Sequence, residues 1–409
     1  MIYIKDKQKC CGCSSCVQVC PKQCISFNED EQGFRYPVVN QELCINCNIC
    51  EEVCPCIHIL ESKQPLKAYA AINPNEEIRM KSSSGGIFTL LAESVIERGG
   101  VVFGARFNKK WEVIHSYTET KDGLEVFRGS KYVQSQIGET FKQAQNFLKA
   151  NRLVLFSGTP CQISGLKRFL RKDYDNLITI EVVCHGVPSP KVWREYLESL
   201  VTKQSKGKDL VLSSQKNIQQ ITNISFRNKS TGWKKYSFVV YGLTMDNESE
   251  KKKQSHRNQV ITSSDAWDNI YMKAFLNNLI LRPICFNCPS KSGKSHSDFS
   301  LADFWAIKQY TPQLDDDKGV TLLYIHTDKA LHILQTLEFC GKELDCSKTL
   351  NTAFSCNAKE KYPSDKFWIK YEQKGLEIIP DICNKIKPSP IIQFIKRILS
   401  FIKRKLSWK

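Results

Sequence analysis

The sequence predicts a small α+β module at the N-terminus, followed by a larger α/β body with a central, largely parallel sheet. Two observations carry this prediction: a cysteine-rich stretch that repeats itself within the first 60 residues, and an alternation of apolar strands with helices after it. The length of 409 residues also exceeds what one small core needs. We predict four segments: the cysteine-rich module (1–62), the N-terminal part of the body (63–150), the C-terminal part of the body (151–387) and a basic tail (388–409).

The N-terminal module contains the spacing C-x2-C-x2-C-x3-C-P twice, which is the bacterial ferredoxin pattern. Three closely spaced thiolates wrap one cluster, and the fourth, one helical turn further on, faces away and reaches the other cluster. One [4Fe-4S] cluster is therefore predicted on Cys10, Cys13, Cys16 and Cys54, and the second on Cys44, Cys47, Cys50 and Cys20. Between the runs, polar residues around Gly33 predict a turn between two short strands.

Structural zinc is the alternative for these cysteines. Zinc sites usually combine ligand pairs across a long gap, so the full spacing, occurring twice and each time followed by proline, favours clusters. Three cysteines lie outside the ligand spacing and are interpreted as packing residues near the clusters: Cys11, Cys24 and Cys56.

Composition excludes several classes of protein. Nineteen cysteines, an odd number in a long chain, do not indicate a secreted disulfide scaffold. We see no signal-like start and no apolar run that would span a bilayer, so we expect a reducing, cytoplasmic location. The net charge of +17 comes with no nucleic-acid docking motif, so we expect a solvated basic surface, which also suits an acidic redox partner, and no nucleic acid.

The body alternates apolar strands and helices, which predicts a parallel sheet with functional residues at the carboxyl ends of its strands. Predicted strands are Lys67–Asn73, Val101–Phe107, Leu153–Ser157, Leu177–Val183, Ile221–Phe226, Tyr236–Leu243 and Val320–His326. Predicted helices are Ile87–Ile96, one ending at Leu170, Pro190–Leu200, Ala266–Leu281 and one from Lys329, and a mobile loop is predicted around 245–257.

Two loops are rich in small residues. Ser82–Gly86 opens a helix, where free backbone N–H groups and the positive end of the helix dipole suit a phosphate. An ordinary capped helix explains the same residues. The second loop, Arg128–Ser135, adds a cation and an aromatic ring.

Four further cysteines form a possible third set. Cys161 is placed near a helix N-terminus, Cys184 follows a strand, and Cys285 and Cys288 form a C-x2-C pair. Spacing alone leaves three interpretations open: a third [4Fe-4S] cluster, a zinc site, or buried free cysteines. The remaining cysteines are interpreted as packing residues: Cys340, Cys346, Cys356 and Cys383.

The C-terminal tail, residues 388–409, is basic. After Pro388 and Pro390, Ile391–Leu406 has a helical period with one apolar face and a largely basic opposite face. This pattern predicts either a helix that contacts the anionic inner surface of a membrane or a helix that packs on the body.

Several stretches resemble the beta-subunit family of coenzyme F-420 hydrogenases and dehydrogenases. They occur in the family's order over roughly residues 65–310: Ser83–Thr89, Gly100–Gly104, Gly129–Ser135, Ser157–Gln162, Cys184–Pro190, Ile224–Arg227 with Gly232-Trp233, Arg282–Cys288, and Ser297–Trp305. The fused ferredoxin module also resembles members found in bacterial surface-polysaccharide gene neighbourhoods and in chlorophyll-pathway reductases.

The resemblance implies FAD in the body and an iron–sulfur cluster beside it, held by Cys161, Cys184, Cys285 and Cys288. It makes the two small-residue loops candidates for the flavin site, through Ser83, Ser84, Gly85, Gly86, Gly129, Ser130 and Lys131. The sequence departs from the family at Ala302 and Ala306, where glycine is usual, and a methyl group there narrows any close approach of a ligand.

The predicted function is an iron–sulfur flavoprotein oxidoreductase that passes electrons between a ferredoxin-type carrier, its clusters, FAD and an organic substrate or deazaflavin. His185 is a candidate proton donor at the flavin, or alternatively caps a strand end. The alternatives are a non-catalytic electron-transfer subunit whose partner holds the substrate, and a zinc-stabilised interaction protein. Family membership does not fix the substrate.

Overall fold

The fold is taken from a computed structural model that describes residues 1–205, 221–244, 257–349 and 351–386. Two sequence predictions, the membrane-contacting tail and nearly all of the mobile loop, lie outside the described residues. No helix within the described ranges is long and apolar enough to cross a membrane.

The N-terminal module has two antiparallel strands, β1 (Ile25–Glu29) and β2 (Arg35–Val39), as predicted. Gly33 makes the turn between them, with a φ of +84° that favours glycine, and its N–H donates to the carbonyl of Asp30. Each cysteine loop runs into a short helix, α1 (Ser15–Val19) or α2 (Ile49–Glu52).

The body is built on one eight-stranded sheet in the order β13-β3-β12-β11-β7-β6-β4-β5. Its strands are β3 (Lys67–Ile72), β4 (Val101–Phe107), β5 (Val113–Thr118), β6 (Val154–Gly158), β7 (Leu177–Val182), β11 (Phe299–Asp303), β12 (Thr321–Ile325) and β13 (Cys340–Leu344). Only the central strands β4, β6, β7 and β11 pair in parallel, and every other pairing is antiparallel. The prediction of a largely parallel sheet is therefore right for the centre only. At the β4–β5 edge the reason is the connection, because residues 108–112 are too few for a parallel crossover.

A second, three-stranded antiparallel sheet contains β8 (Ile221–Asn228), β9 (Ser237–Thr244) and β10 (Arg257–Asp265). Sequence analysis predicted β8 and β9 but missed the polar strand β10, as it missed β5, β11 and β13. β10 and β13 are largely polar, and β5 and β11 mix apolar and polar residues over stretches too short to identify a strand.

The helices of the body cover both faces of the large sheet. They are α3 (Glu76–Lys81), α4 (Ile87–Glu97), α5 (Thr140–Lys149), α6 (Pro160–Leu170), α7 (Pro190–Ser205), α8 (Ile270–Leu276), α9 (Ile307–Tyr310), α10 (Asp328–Gln335), α11 (Thr352–Ser355), α12 (Ser364–Lys374) and α13 (Ile378–Ile386). One core packs α4 and α10 against the sheet, and another packs α5 and α6. Helix α8 is shorter than the predicted 266–281, because Asn269 caps its start and Asn278 leaves the helical conformation at φ +63°.

The carboxyl ends of β6, β7 and β11 lie at one edge of the large sheet, because these strands are parallel. Cys161 follows β6, Cys184 follows β7, and Asp303 ends β11. The Ser82–Gly86 loop reaches the same edge, where Gly85 N–H donates to Thr321 Oγ1 at the start of β12 (2.9 Å). The fold thus brings the candidate residues of the body to one side.

The burial of the His115 imidazole leads to a prediction about stability. It is buried beside Ser157 and Ser135, and burial lowers the pKa of its imidazole to about 4, with nearby Lys131 acting in the same direction. Between about pH 6.5 and 4 the unfolded chain binds a proton that the folded chain excludes. We expect the free energy of unfolding to fall by up to about 3 kcal/mol over this range, at about 1.4 kcal/mol per pKa unit.

The measurement is thermal unfolding against pH for the natural protein, His115→Asn and the exposed control His332→Asn. His115→Asn is expected to flatten the pH dependence, because its side chain does not titrate. An unchanged slope in that variant, matching the control, would contradict the assignment.

Candidate functional site: three cysteine sets and two small-residue loops

The first cysteine loop turns sharply enough for closely spaced thiols to face one another. Gly12 and Ser14 both have a φ of +70°, and helix α1 begins at Ser15. Burial raises the pKa of the Cys10 thiol to about 11 and raises that of Cys16 well above its usual range. The neighbouring Cys13 thiol adds to both effects.

Cys54, from the second run, reaches the first run. Its pKa is raised by a hydrogen bond with Cys56, by burial and by the nearby Cys13 thiol. It also packs in one small core with Cys16. The structure therefore places Cys54 near Cys13 and Cys16, two of the three cysteines with which the sequence pattern grouped it.

The three remaining cysteines of the second run line one cavity together with Cys20 of the first run. Asn46 and Asn48 turn this loop with φ values of +53° and +58°. Cys24 lies in the same wall, with its sulfur 3.3 Å from that of Cys20. Cys47 is exposed, so this cavity lies nearest the surface of the module.

The third set lines one cavity at the sheet edge: Cys161, Cys184, Cys285 and Cys288. The pair comes from the 3₁₀ turn Pro283–Asn287 and the residue after it. Cys11, next to the first ferredoxin ligand position, also lines this cavity, as do Arg282 and Lys291. Sequence analysis interpreted Cys11 as packing near the clusters and did not place it against the third set.

Two buried cations face the thiols of the third cavity. Burial raises the pKa of Cys285 to about 11 and that of Cys288 to about 12, while Lys291 opposes both effects. Hydrogen bonds from Cys11 and Thr159 lower the pKa of Cys161. Lys291 is held by the carbonyl of Cys356 (2.7 Å), and both Lys291 and Arg282 are buried. Their charges favour thiolates over thiols here.

In the ranges that the structure describes, no three histidine, cysteine, aspartate or glutamate side chains converge on a point that would hold a single metal ion. The second and third cysteine sets instead each line the wall of one cavity. A tetrahedral zinc site draws its sulfurs to about 2.3 Å from one ion, whereas an iron–sulfur cluster fills the space between its ligands. The donor chemistry and the cavities fit a cluster.

His185 lines the cavity of the third cysteine set. Its Nε2 lies 2.5 Å from Asn278 Oδ1, and the Asn278 amide donates to the carbonyl of Lys359, so the histidine donates to Oδ1. Burial lowers the pKa of the ring. These contacts join His185 to the segment after α8 and place its ring beside the cysteines.

The two small-residue loops meet. The N–H of Ser130 donates to Ser83 Oγ at 2.7 Å, although the two residues are far apart in sequence. The Lys131 ammonium donates to the carbonyls of Phe127, Arg128 and Gly129, so it rigidifies its own loop. Burial lowers the pKa of Lys131 to about 7.

The rest of the Ser/Gly loop is tied to β12. Ser84 Oγ donates to the carbonyl of Val320 at 2.8 Å. A Cβ on Gly85 would lie 2.4 Å from the carbonyl oxygen of Ala71, so no larger residue fits. Gly86, with φ +84°, leads into α4.

Sequence analysis missed the role of Arg227, which lies beside these loops. Its side chain is only 3% exposed and pairs with Asp303 (2.6 Å). The guanidinium lies over the rings of Tyr236 and Trp305, 4.0 and 4.8 Å from their centroids. Its Nε is buried without a hydrogen-bond partner. Arg227 and Asp303 belong to two of the stretches that carried the family resemblance, which was the available signal.

Lys229 closes the far side of the Ser/Gly loop. Its ammonium donates to the carbonyls of Arg79, Ser84 and Lys318. Burial lowers the pKa of Lys229 to about 7. Of the two alanines that depart from the family pattern, Ala302 is buried in β11 and Ala306 precedes α9.

The fold and the cysteine loops define an iron–sulfur protein in which a two-cluster ferredoxin module is joined to an α/β body. Residues 9–57 match the family model of the 4Fe-4S dicluster domain, and residues 151–343 match the family model for the C terminus of the coenzyme F420 hydrogenase/dehydrogenase beta subunit. The chain thus carries both domains, and the family resemblance is confirmed. The Ser/Gly loop and the Gly129–Lys131 loop precede the second matched region.

Among solved structures, a chain from the F420-reducing [NiFe] hydrogenase complex of Methanosarcina barkeri is similar. The identity is 16% and the TM-score 0.43, over 69% of this chain and 83% of that one. No curated protein matches.

Proposed function

We propose that this chain is an iron–sulfur flavoprotein oxidoreductase with three [4Fe-4S] clusters and one FAD. The observation that carries the proposal is the arrangement of the three cysteine sets, from exposed Cys47 in the module to the third cavity at the sheet edge. The ligands proposed are the crossed sets of the ferredoxin runs and Cys161, Cys184, Cys285 and Cys288. FAD, when bound, exchanges single electrons with clusters and two electrons with an organic substrate.

The protein side of this function is binding and charge compensation. The Ser83–Gly86 and Gly129–Lys131 loops, which touch through Ser83 and Ser130, are the proposed flavin site. Arg227, whose Nη2 lies 3.5 Å from the carbonyl oxygen of Ser83, supplies positive charge beside them, which suits the phosphates of the cofactor, while Lys229 holds the Ser84 carbonyl in place. Ser83, Ser84 and Ser130 offer hydroxyl groups, and the loops offer backbone N–H groups.

A partner protein is part of the proposal. The matched family is named for one subunit of a hydrogenase or dehydrogenase, and the module exposes apolar Leu43 and Ile45 next to the cavity of Cys44 and Cys47. We propose this face as the contact for a one-electron carrier. The same observation favours the second candidate, a non-catalytic electron-transfer subunit whose partner holds the substrate.

The decisive experiment is anaerobic purification with iron, sulfide, zinc and flavin quantified together. We expect about twelve irons, about twelve sulfides and about one FAD per chain. Turnover by the isolated chain with a reduced ferredoxin and a deazaflavin acceptor would support the enzyme; a stable partner and no turnover alone would support the electron-transfer role. Stoichiometric zinc without sulfide would overturn both and favour the zinc-stabilised interaction protein.

A further inference from the structure

Arg282 lies fully buried between the ferredoxin module and the body. Its Nε donates to the carbonyl of Cys10 (2.7 Å), and its Nη2 donates to the carbonyl of Arg35 (2.9 Å) and lies 3.6 Å from Cys10 Sγ. Nη1 donates to Gln134 Oε1 (3.0 Å) in the body. One side chain therefore joins the first cysteine loop, the module strand β2 and the body.

The same residue lines the cavity of the third cysteine set. The N–H of Cys285 donates to the Arg282 carbonyl, so the guanidinium and this cysteine come from one turn. Arg282 N–H in turn donates to the carbonyl of Val187, on the loop that follows Cys184. Hydrogen bonds beside the third cysteine set thus fix the backbone of Arg282, while its guanidinium contacts Cys10 of the first set.

No carboxylate pairs with Arg282 among the residues that the structure describes; its other neighbours are carbonyls, an amide and the rings of Tyr36 and Phe34, with centroids at 4.2 and 5.4 Å. A buried cation without a counter-charge is costly. The anionic groups within reach are the cysteine sulfurs of the two sites when they are ionised. Thiolates bound to metal in these two sites would supply the counter-charge that Arg282 lacks.

The module and the body are also closely packed beside the first cysteine loop. A Cβ on Gly12 would lie 3.0 Å from Arg282 Nη1, and a Cβ on Gly165 of α6 would lie 2.8 Å from Cys13 Cβ. Ser15 Oγ donates to the Gly165 carbonyl at 2.8 Å. Cys161 packs against Cys11 in one small core, so a ligand position of the third set touches the residue next to Cys10. Such close packing holds the first cysteine loop at one fixed place on the body.

We propose that Arg282 is a positioning and charge-balancing residue shared by the Cys10 centre and the Cys161 centre, and that it makes electron transfer from module to body an internal step. The inference rests on the proposed function, since both centres must hold clusters. In the step, one electron leaves the first centre and arrives at the third. Arg282 keeps its proton, no bond forms or breaks, and the electron comes from an external one-electron reductant.

The test compares Arg282→Gln and Arg282→Lys with Arg168→Gln. Arg168 also joins body to module, through the carbonyl of His58, but contacts no cysteine. Midpoint potentials of the three centres are measured by EPR-monitored titration with dithionite. In Arg282→Gln the potentials of the first and third centres are expected to fall, because a positive charge that stabilises the reduced state is lost, and that of the Cys20/Cys44 centre to stay. In Arg282→Lys the potentials of these two centres are expected to fall less, because lysine keeps the positive charge. In Arg168→Gln all three potentials are expected to match those of the natural protein.

Retained iron with unchanged potentials in Arg282→Gln, or an equal shift of all three centres, overturns the proposal. If Arg282→Gln does not fold, a second measurement on the natural protein tests the proposal. Stepwise reduction is expected to broaden or split the EPR signal of one neighbouring centre as the other becomes reduced, and independent signals overturn the inference. Protein that binds no iron or sulfide at all overturns the proposed function itself, a different and separately visible result.

Discussion

Cys285→Ala is expected to lower the iron content from about twelve to about eight per chain, while the two clusters of the module remain. Cys285 lines the third cavity and comes from the same turn as Cys288. With one of its four proposed thiolate ligands removed, a cluster at this site would be held less tightly and is expected to be lost on purification. Iron and sulfide analysis, with EPR of the reduced protein, measures the result.

Two cysteine variants make the result specific. Cys383→Ala removes a buried cysteine that lies against α8, near Asn277, and is expected to keep about twelve irons. Cys11→Ala is the sharper control, because Cys11 lines the same cavity as Cys285 but is interpreted as packing. It too is expected to keep about twelve irons. An iron loss in Cys11→Ala with none in Cys285→Ala would assign the ligand role to Cys11.

Local patterns predicted the cysteine loops well, because ligand spacing within ten residues is a property of the loop itself. The turn at Gly33, the strand before Cys161 and the strand before Cys184 were predicted for the same reason: apolar runs and glycine mark them directly. Strand-end positions and the C-x2-C spacing also suggested the set of Cys161, Cys184, Cys285 and Cys288, but they left a cluster, zinc and free cysteines open, and the resemblance then favoured a cluster.

Long-range contacts were not predictable in this way. Arg282 and Cys10 are 272 residues apart, and Arg227 and Asp303 are 76 apart. Nothing in the local sequence tells a buried arginine from a surface one, since both are simply basic positions in a chain of net charge +17. The placement of Cys11 against the third cavity depends on docking of the module onto the body. Docking in turn requires small residues such as Gly165, and the need for glycine at this position shows only once Cys13 is known to be its neighbour.

Variants of the Arg227–Asp303 pair allow effects on stability and on cofactor binding to be measured separately. Arg227→Met leaves the Asp303 carboxylate, 20% exposed, without its cation. We expect the free energy of unfolding to fall by about 3 kcal/mol, near the lower end of the cost of breaking a buried pair. We also expect the bound FAD to fall well below about one per chain, because Arg227 lies beside Ser83 and stacks with Tyr236 at the proposed flavin site.

The double variant Arg227→Met/Asp303→Leu distinguishes the two effects. Removing both charges is expected to restore most of the stability, because no uncompensated charge remains buried. FAD content is expected to stay low, since the positive charge beside the loops is still missing. Arg152→Met, which breaks only the surface pair with Glu119, is the control and is expected to change stability by less than about 1 kcal/mol. Thermal unfolding and flavin absorbance per chain measure both quantities, and a stable double variant with full FAD would place the flavin away from Arg227 and the two loops.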